Sequence, residues 1–402
     1  MILTGKRCEE EMNACGIIVE YNPFHSGHAY HVQNARELSD ADVVIAVMSG
    51  NFLQRGEPSI LDKWTRAKEA LENGVDLVVE LPFVWAVQSA DYFARGGVKL
   101  LQALNCDALC FGTDSDKPID YEAFGRFAVE NKELIEKTYK ELGEKHLSYP
   151  QQMTHVFQRL YPELHLDFAS PNHVLGLSYA KENAKYTHPM KLLPLKRKIT
   201  QYNEEIIHQQ FASATAVRVG AFNQTWQELE SVLPENTYRD LKTGPLVSWE
   251  NYWPLLKYRL IASSEEELRG IYQMNEGIEY RVKEMALKAE SFTHFIELVK
   301  TKRYTWTRLQ RLATYTLMNI SEQEIELGWK NSSLRILGMS EMGQKYLKEQ
   351  KETASLPILT KNSKKMSSYL DTGLKSDRVY QLGNSRILEQ SSGRFPIRIK
   401  NA

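Results

Sequence analysis

Two histidines on one short turn, His25 and His28, are the residues best suited to chemistry in this sequence. Because they stand three positions apart, both rings can donate to one phosphoryl oxygen as negative charge builds on it. Gly27 between them lets a phosphate approach the backbone, since no Cβ stands in the way. The turn therefore indicates chemistry on a phosphate. The alternative is a pair of unrelated surface histidines.

The pattern around this turn favours the chemical interpretation. An apolar run at 14–19 predicts a buried parallel strand, which the Asn22-Pro23 pair ends because proline donates no backbone hydrogen bond. A helical pattern follows at 29–38. The histidines thus lie between a strand and a helix N-terminus, which is a favourable place for an anion. We expect this turn to bind a nucleotide.

Strands and helices alternate through the first half of the chain. The apolar and amphipathic runs that predict them lie, in chain order, at 41–48, 62–73, 75–83, 88–104, 108–111 and 190–195. Such alternation predicts an α/β fold with a Rossmann-like, doubly wound parallel sheet. Because ligands of these sheets bind at the carboxyl ends of the strands, we expect a binding rim at 25–28, 49–51 and 112–115.

A second motif opens a later helical pattern, with Ser213 and Thr215 at its start and Arg218 one turn inside. Backbone N–H, hydroxyl and guanidinium groups at such a place can hold phosphates. The Ser-x-Thr-x-x-Arg pattern is also a common helix cap, so alone it is weak evidence. Because it follows the histidine turn in the same sheet, these three residues are candidate phosphate ligands.

The composition changes near residue 225, and helical periodicity dominates from there to about residue 347. Residues 300–311 carry five basic side chains, two aromatic ones and no acid, and residues 351–402 carry ten Lys or Arg against four Asp or Glu. One basic cluster is usually a solvated helix face. Two in the same half of a chain with a net charge of −1 favour RNA binding.

These shifts divide the chain into three predicted segments. Residues 1–11 are a polar leader that we expect to be disordered, residues 12–224 a catalytic nucleotide-binding domain, and residues 225–402 a helical basic region. The four cysteines lack the spacing of a metal site, and no apolar run is long enough to span a membrane. We expect a cytoplasmic protein with reduced thiols and no membrane partner. The sequence leaves the oligomeric state open.

Six stretches carry a resemblance to a known family. They read Val-Glu-Tyr-Asn-Pro-Phe-His-Ser-Gly-His, Val-Met-Ser-Gly-Asn-Phe, Gln-Arg-Gly-Glu-Pro, Ser-Pro-Asn, Ala-Ser-Ala-Thr-Ala-Val-Arg and Thr-Lys-Arg-Tyr-Thr. Together they resemble the bacterial tRNA(Met) cytidine acetate ligases, which belong to the HxGH nucleotidyltransferases with a HUP-type fold. The resemblance implies an ATP-dependent ligase that forms acetyl-adenylate from acetate and ATP. Such a ligase then acetylates N4 of the wobble cytidine in elongator tRNA(Met).

The resemblance also implies roles for individual residues. His25 and His28 are the expected catalytic pair, acting on the α- and β-phosphates of ATP, which Mg²⁺ is expected to accompany. The residues expected to grip tRNA phosphates are Lys302, Arg303, Arg308 and Arg311. The residues expected to bind ATP are Ile18, Val19, Glu20, Tyr21, Asn22, Pro23, Phe24, His25, Ser26, Gly27, His28, Ala29, Tyr30, His31, Gly112, Asn172 and Arg197.

Two other functions fit the same motifs. A small-molecule adenylyltransferase, attaching AMP to a phosphorylated cofactor precursor, would use the same two phosphate-binding motifs. The large helical half with its basic stretches counts against it. A non-catalytic RNA-binding protein with a vestigial nucleotide site is the other alternative, and the intact His25, Gly27 and His28 count against that.

Overall fold

The computed structural model describes residues 12–114, 119–144, 147, 149–162, 171–196, 212–361 and 367–400, so the expected leader lies outside it. The strands are β1 (Ala14–Val19), β2 (Val43–Ser49), β3 (Leu77–Leu81), β4 (Ala108–Thr113), β5 (Lys191–Lys196), β6 (Leu334–Met339), β7 (Ile358–Leu359) and β8 (Ile397–Arg398). The helices are α1 (Ser26–Ser39), α2 (Lys63–Glu72), α3 (Phe83–Ala86), α4 (Ala90–Ala103), α5 (Tyr121–Glu130), α6 (Lys132–Leu142), α7 (Tyr149–Leu160), α8 (Pro171–Asn183), α9 (Ala214–Asn223), α10 (Trp226–Glu230), α11 (Glu235–Thr243), α12 (Trp249–Ala262), α13 (Glu265–Arg269), α14 (Ile278–Lys288), α15 (Phe292–Val299), α16 (Trp306–Leu317), α17 (Glu322–Lys330), α18 (Glu341–Glu349) and α19 (Ser367–Gln381).

One sheet organises the described residues, with the strand order β5-β4-β1-β2-β3-β6-β7 and β8 paired with β6. Strands β1 to β5 are parallel to their neighbours, as the alternating pattern predicts. The α/β Rossmann-like fold class, followed by a helical region, is therefore confirmed. The sheet also takes in β6, which is antiparallel to β3.

Strand β6 comes from the part of the chain that the sequence pattern predicts to be helical, so that prediction is wrong for residues 334–339. Every residue of this strand is buried. The six residues contain Arg335 and are too few to give a period from which a strand can be told from a buried helix segment. The sheet consequently takes strands from both sides of the domain boundary predicted at residue 224, and that boundary stays a prediction.

Two element ends differ from expectation in ways that affect the site. Strand β4 continues to Thr113, and Gly112 pairs with Leu195, so Gly112 lies in a strand and not in the turn after it. Helix α8 begins at Pro171, which places Asn172 in its first turn and not in the loop before it. Proline is favoured in the first turn of a helix because its missing N–H would be unpaired there anyway.

Side chains alternate between the two faces of the sheet, as the pleat requires. One apolar cluster, with Ile17, Ala46 and Val78, packs under α1 and α2. The opposite face, with Ile45 and Val79, belongs to a larger cluster that runs without interruption into the helices of the second half. The two halves thus share a hydrophobic core. In the part of the chain that the structure describes, no helix is long and apolar enough to cross a bilayer.

Candidate active site

The two histidines form the N-terminal cap of α1. His25 is the capping residue, and its Nδ1 accepts a hydrogen bond from the backbone N–H of Gly27 at 3.1 Å. Nδ1 of His28 in turn accepts from the backbone N–H of His25 at 3.3 Å. The rings stack with their centroids 3.8 Å apart and their planes at 24°. The two rings are therefore adjacent, and their joint action on a phosphate stays a prediction.

The cap fixes which nitrogen of each ring carries the proton. A neutral imidazole has one donor and one acceptor nitrogen. Because each Nδ1 receives a backbone N–H, we assign the proton of each neutral ring to Nε2 from the hydrogen-bond pattern. The arrangement can therefore present two Nε2–H donors beside a helix N-terminus, where an anion is already favoured.

Aromatic side chains from the loop before α1 support the second ring. The Tyr21 ring makes T-shaped contacts with the rings of His28 and Phe24, with centroid separations of 4.8 and 4.7 Å. Tyr21 has a φ of +51°, a left-handed conformation that tyrosine rarely adopts outside constrained sites. Its hydroxyl is buried without a hydrogen-bond partner among the described residues. The left-handed backbone and the unpaired hydroxyl of Tyr21 are both unfavourable, so the contacts around this loop must compensate for them.

Distant parts of the chain anchor this loop. Asn22 Oδ1 accepts from the backbone N–H of Ile60 at 2.8 Å. Ser26 donates both its Oγ–H and its backbone N–H to the carbonyl of Val232, at 2.8 and 3.2 Å. The Ser26 hydroxyl therefore fastens the turn to a segment some two hundred residues away in sequence.

The structure places Arg218 beside the loop that precedes the histidine turn. Its Nη1 donates to the carbonyl of Asn22 at 2.8 Å, and its Nη2 to Thr215 Oγ1 at 3.3 Å. Glu57 lies 3.7 Å from the same guanidinium. Ser213 caps α9 by accepting from the backbone N–H of Ala216. The trio thus has structural contacts at the edge of the site, and its binding of phosphate stays a prediction.

The remaining expected ATP ligands are placed less completely. Gly112 lies at the carboxyl end of β4, adjacent to β1, the strand that precedes the histidine turn. Asn172 lies at the start of α8. Arg197 lies outside the described residues, directly after the last residue of β5. The predicted rim at 49–51 is closed, because Ser49 and Asn51 are buried and Glu80 fills the space beside Gly50.

A buried arginine that the sequence reading missed holds the strand ends together. Arg66 lies in α2 and is fully buried. It donates to the carbonyls of Leu61 at 3.0 Å, Glu20 at 2.5 Å and Ser49 at 3.2 Å, and also to that of Gly50. Glu20 and Ser49 stand at the carboxyl ends of β1 and β2. An arginine in the middle of a helix usually indicates a solvated face, so the sequence carries no signal for this role.

A second missed feature is a buried network of two cations and two carboxylates, which we call the ionic cluster: Lys63, Glu80, Arg335 and Asp377. Lys63 Nζ lies 2.8 Å from Glu80 and 2.6 Å from Asp377. Arg335 lies 3.1 Å from Glu80 and 3.2 Å from Asp377. Asn51 also donates to Asp377, at 3.0 Å. The cluster thereby ties α19 to the carboxyl end of β3.

Two buried glutamates lie near the histidine turn. Glu20 accepts from the backbone N–H of Gln54 at 2.7 Å, and burial raises the pKa of its carboxyl. Burial, with a smaller contribution from Asp240, raises the pKa of Glu69 well above its ordinary value. The effects that lower this pKa, from the charge of Arg66 and from a backbone hydrogen bond of Phe24, are smaller than the effect of burial. The neutral form of Glu69 is therefore favoured in the folded protein.

The predicted RNA-binding residues form a mixed group at the start of α16. Lys302 and Arg303 are exposed, and Arg303 pairs with Glu276 at 2.7 Å. Arg308 also reaches Glu276, at 3.5 Å, and lies 4.8 Å above the ring centroid of Tyr304. Tyr304 is buried beneath it, which leaves this ring covered and not open to a stacking base. Arg311 is half-buried.

Comparison with known proteins shows the family to which this chain belongs. The sequence model of the HIGH Nucleotidyl Transferase family matches residues 12–394. A tRNA(Met) cytidine acetate ligase of Latilactobacillus sakei is 43% identical over 365 residues, covering 90% of this chain and 91% of its own. The enzyme of the same name from Listeria monocytogenes is also 43% identical, covering 92% of this chain and 95% of its own.

Solved structures agree with this relationship. The apo structure of Thermotoga maritima TmcAL superposes with a TM-score of 0.88 at 30% identity, covering 97% of this chain and all of that one. A second structure of that protein, bound with alpha-thio ATP, superposes with a TM-score of 0.86. The similarity to these relatives extends over nearly the whole chain, so this chain belongs to the tRNA(Met) cytidine acetate ligase family of HIGH nucleotidyl transferases.

Proposed function

We propose that this chain is an ATP-dependent ligase that activates acetate as acetyl-adenylate and acetylates N4 of the wobble cytidine of elongator tRNA(Met). The observation that carries the proposal is the stacked pair of His25 and His28, each directed by a backbone N–H to keep its proton on Nε2. The relatives that share this chain's length carry the corresponding enzyme name.

The first step is adenylate formation. A carboxylate oxygen of acetate forms a bond to the α-phosphorus of ATP, and the bond from that phosphorus to the bridging oxygen of pyrophosphate breaks. Negative charge grows on the phosphoryl oxygens and on the leaving group, where the two Nε2–H donors act. Acetate is already ionised at neutral pH, so this step needs no general base.

The second step transfers the acetyl group. The N4 amine of cytidine attacks the carbonyl carbon of acetyl-adenylate, AMP leaves with the bonding electron pair, and the nitrogen releases one proton. The protein contributes orientation here, because holding both reactants in place replaces an encounter between free molecules. Basic side chains at the start of α16 are the proposed RNA-holding groups.

ATP also brings the question of Mg²⁺. In residues 12–400, wherever the structure describes them, no group of three or more His, Cys, Asp or Glu side chains is arranged to hold a metal ion. These residues do not form a metal site of their own. We therefore assign no step to the ion.

The function is tested by exchange of labelled pyrophosphate into ATP, measured with and without acetate. We expect exchange that depends on acetate and that falls about 10²- to 10³-fold in His28→Ala, because one transition-state donor is lost. His188→Ala, a change of an exposed histidine, is the matched control and should behave as the wild type. Wild-type enzyme that binds ATP but shows no acetate-dependent exchange would contradict acetate activation.

A transfer assay completes the test. Purified elongator tRNA(Met) incubated with enzyme, ATP and labelled acetate should gain label on one cytidine. Exchange promoted by a phosphorylated cofactor precursor in place of acetate would favour the adenylyltransferase interpretation. Binding of tRNA with neither exchange nor labelling would favour the non-catalytic RNA-binding interpretation.

A further inference from the structure

A turn of the first half and a helix of the second half meet beside the candidate active site. Residues 53–58, which we call the QRG turn, close with a hydrogen bond from the backbone N–H of Gly56 to the carbonyl of Leu53. The carbonyl of Gly56 accepts from Trp249 Nε1 at 3.0 Å and from Thr314 Oγ1 at 2.6 Å. Gly56 also packs directly on the backbone of Arg311 in α16.

This contact brings three arginines close together. Arg55 precedes Gly56 in the QRG turn, while Arg308 and Arg311 lie three residues apart on α16 and so share one helix face. The positive charges of Arg55 and Arg308 both act on Arg311, and burial together with these charges lowers the pKa of its guanidinium. An arrangement that repels itself in this way is stabilised when an anion binds.

Arg311 lacks a compensating group in the part of the chain that the structure describes. Its Nε is buried and has no hydrogen-bond partner there. Glu276 pairs with Arg303 at 2.7 Å and also lies 3.5 Å from Arg308, while Glu57 lies 3.7 Å from Arg218, so neither of these carboxylates forms an ion pair with Arg311. A buried donor without an acceptor is unfavourable, and its retention points to a ligand that supplies the acceptor.

The QRG turn, which carries Arg55, lies at the same edge of the sheet as the histidine turn. The backbone N–H of Gln54, next to Arg55, donates to Glu20, the residue that directly follows β1. Gln54 Nε2 donates to the carbonyl of Gln88 at 3.0 Å, which connects the QRG turn to the segment after β3. An anion held here would therefore lie on the β2–β3 side of the nucleotide site.

We propose that Arg55, Arg308 and Arg311 form a binding site for one phosphate group. In the working enzyme we assign this group to the tRNA backbone close to the modified nucleotide, an assignment that rests on the proposed function. Guanidinium groups match phosphate geometry and bind it through paired hydrogen bonds. The exposed Lys302 and Arg303 just before α16 extend the positive surface outward, which favours a long polyanion. The polyphosphate of ATP is the other possible source of the group.

The test compares Arg311→Gln with Arg239→Gln, a change of an exposed arginine in α11. Binding of unmodified tRNA(Met) is measured by fluorescence anisotropy over a series of salt concentrations. We expect Arg311→Gln to weaken binding tenfold or more, and to reduce the slope of log K against log salt by about 0.7 to 0.9, the value for one phosphate contact. Arg239→Gln should match the wild type in affinity and slope.

Acetate-dependent pyrophosphate exchange separates the two sources of phosphate. With Arg311→Gln, the KM values for ATP and acetate should stay within about twofold of wild type. A raised KM for ATP with unchanged tRNA binding would overturn the RNA assignment in favour of the polyphosphate. A raised KM for acetate alone would overturn the phosphate site. Unchanged tRNA affinity and slope would overturn the proposal even where the exchange reaction confirms acetate activation.

Thermal unfolding shows whether Arg311→Gln weakens tRNA binding only because the variant is less stable. Because Arg311→Gln removes a charge that lacks a partner in the free enzyme, its melting temperature should equal or exceed that of the wild type. A clearly lower melting temperature would identify Arg311 as a structural cation and contradict the site. Wild-type enzyme that binds no tRNA at low salt would overturn this inference and the proposed function together.

Discussion

At the start of α1, each histidine ring uses Nδ1 to receive a backbone N–H, so that the cap of the helix and the tautomer of the ring are set together. Substituting either residue removes a cap as well as a phosphate donor. Loss of a helix cap typically destabilises a protein by about 1 kcal/mol. Activity measurements on such variants therefore need a stability measurement beside them, because only the residual loss reports on phosphate chemistry.

Glu69 provides a prediction about pH at the scale of one residue. Its carboxyl has a raised pKa in the folded protein, so its contribution to stability is fully present below about pH 4.5 and is lost as the pH rises through the raised pKa. Glu69→Gln is neutral at every pH. We expect this variant to melt a few degrees above the wild type at pH 8, with the gain shrinking toward pH 4.5.

Differential scanning calorimetry at both pH values checks the Glu69 prediction. Glu72→Gln, an exposed position on the same helix, should show no such trend. An equal gain for Glu69→Gln at both pH values would mean that ionisation is not its origin.

At the scale of elements, the QRG turn joins the nucleotide half to α16 and depends on a glycine. Gly56 has a φ of +82°, and a methyl group at this position would overlap the backbone of Arg311. Gly277 has nearly the same φ, +80°, but has no atom within 4 Å of the place where a Cβ would lie. The two positions therefore separate backbone strain from packing.

We predict that Gly277→Ala destabilises the protein by about 1 kcal/mol, the strain of a Cβ in the left-handed region. Gly56→Ala should carry the same strain plus about 1 to 3 kcal/mol from overpacking against α16. Urea unfolding of both variants measures the difference. Equal losses would show that the turn moves away from α16 without resistance.

The alternating pattern of the first half was sufficient to predict β1 to β5, because strands covered by helices on both faces read as continuous apolar runs. The run predicted at 62–73 begins at Asp62, which caps α2 by accepting from the backbone of Trp64 and Thr65. The roles of Arg66 and Lys63 were not predictable. Arg66 binds main-chain carbonyls, and Lys63 binds Glu80 and, more than three hundred residues away, Asp377, so no local pattern encodes these contacts.

In the candidate site, too, the features that are local in sequence were predictable and the contacts between distant residues were not. The histidine turn and the Ser-x-Thr-x-x-Arg motif lie on contiguous residues, so their types and spacing were visible. That Arg218 reaches the carbonyl of Asn22 follows only from the fold. Tyr304 is one of the two aromatic residues in the basic stretch at 300–311, and its burial beneath Arg308, which leaves the ring closed to a base, also follows only from the fold.

At the scale of the whole molecule, the ionic cluster connects the end of the chain to its beginning. Its four groups are buried and balance in charge. Removing one member of such a cluster leaves a charge without its partner, which destabilises a protein by about 3 to 5 kcal/mol. We predict a loss of this size for Asp377→Asn, measured by urea unfolding.

Asp371→Asn is the matched control, because this residue is exposed on the same helix, and it should stay within about 0.5 kcal/mol of the wild type. The double variant Lys63→Met with Asp377→Leu removes one charge of each sign. This double variant should lose less stability than the sum of the losses of Lys63→Met alone and Asp377→Leu alone. Losses that add fully would argue against a coupled cluster.

The position of β6 also has a consequence for protein synthesis. About 250 residues separate β6 from β3, the strand with which it pairs, and at roughly 5 to 20 residues per second the ribosome needs on the order of 10 to 50 seconds to deliver them. During this interval the backbone groups along one edge of β3 have no pairing strand, and such an edge invites pairing with another chain. The nascent enzyme therefore depends on shielding, by its own helices or by a chaperone, until the last fifth of the chain has emerged.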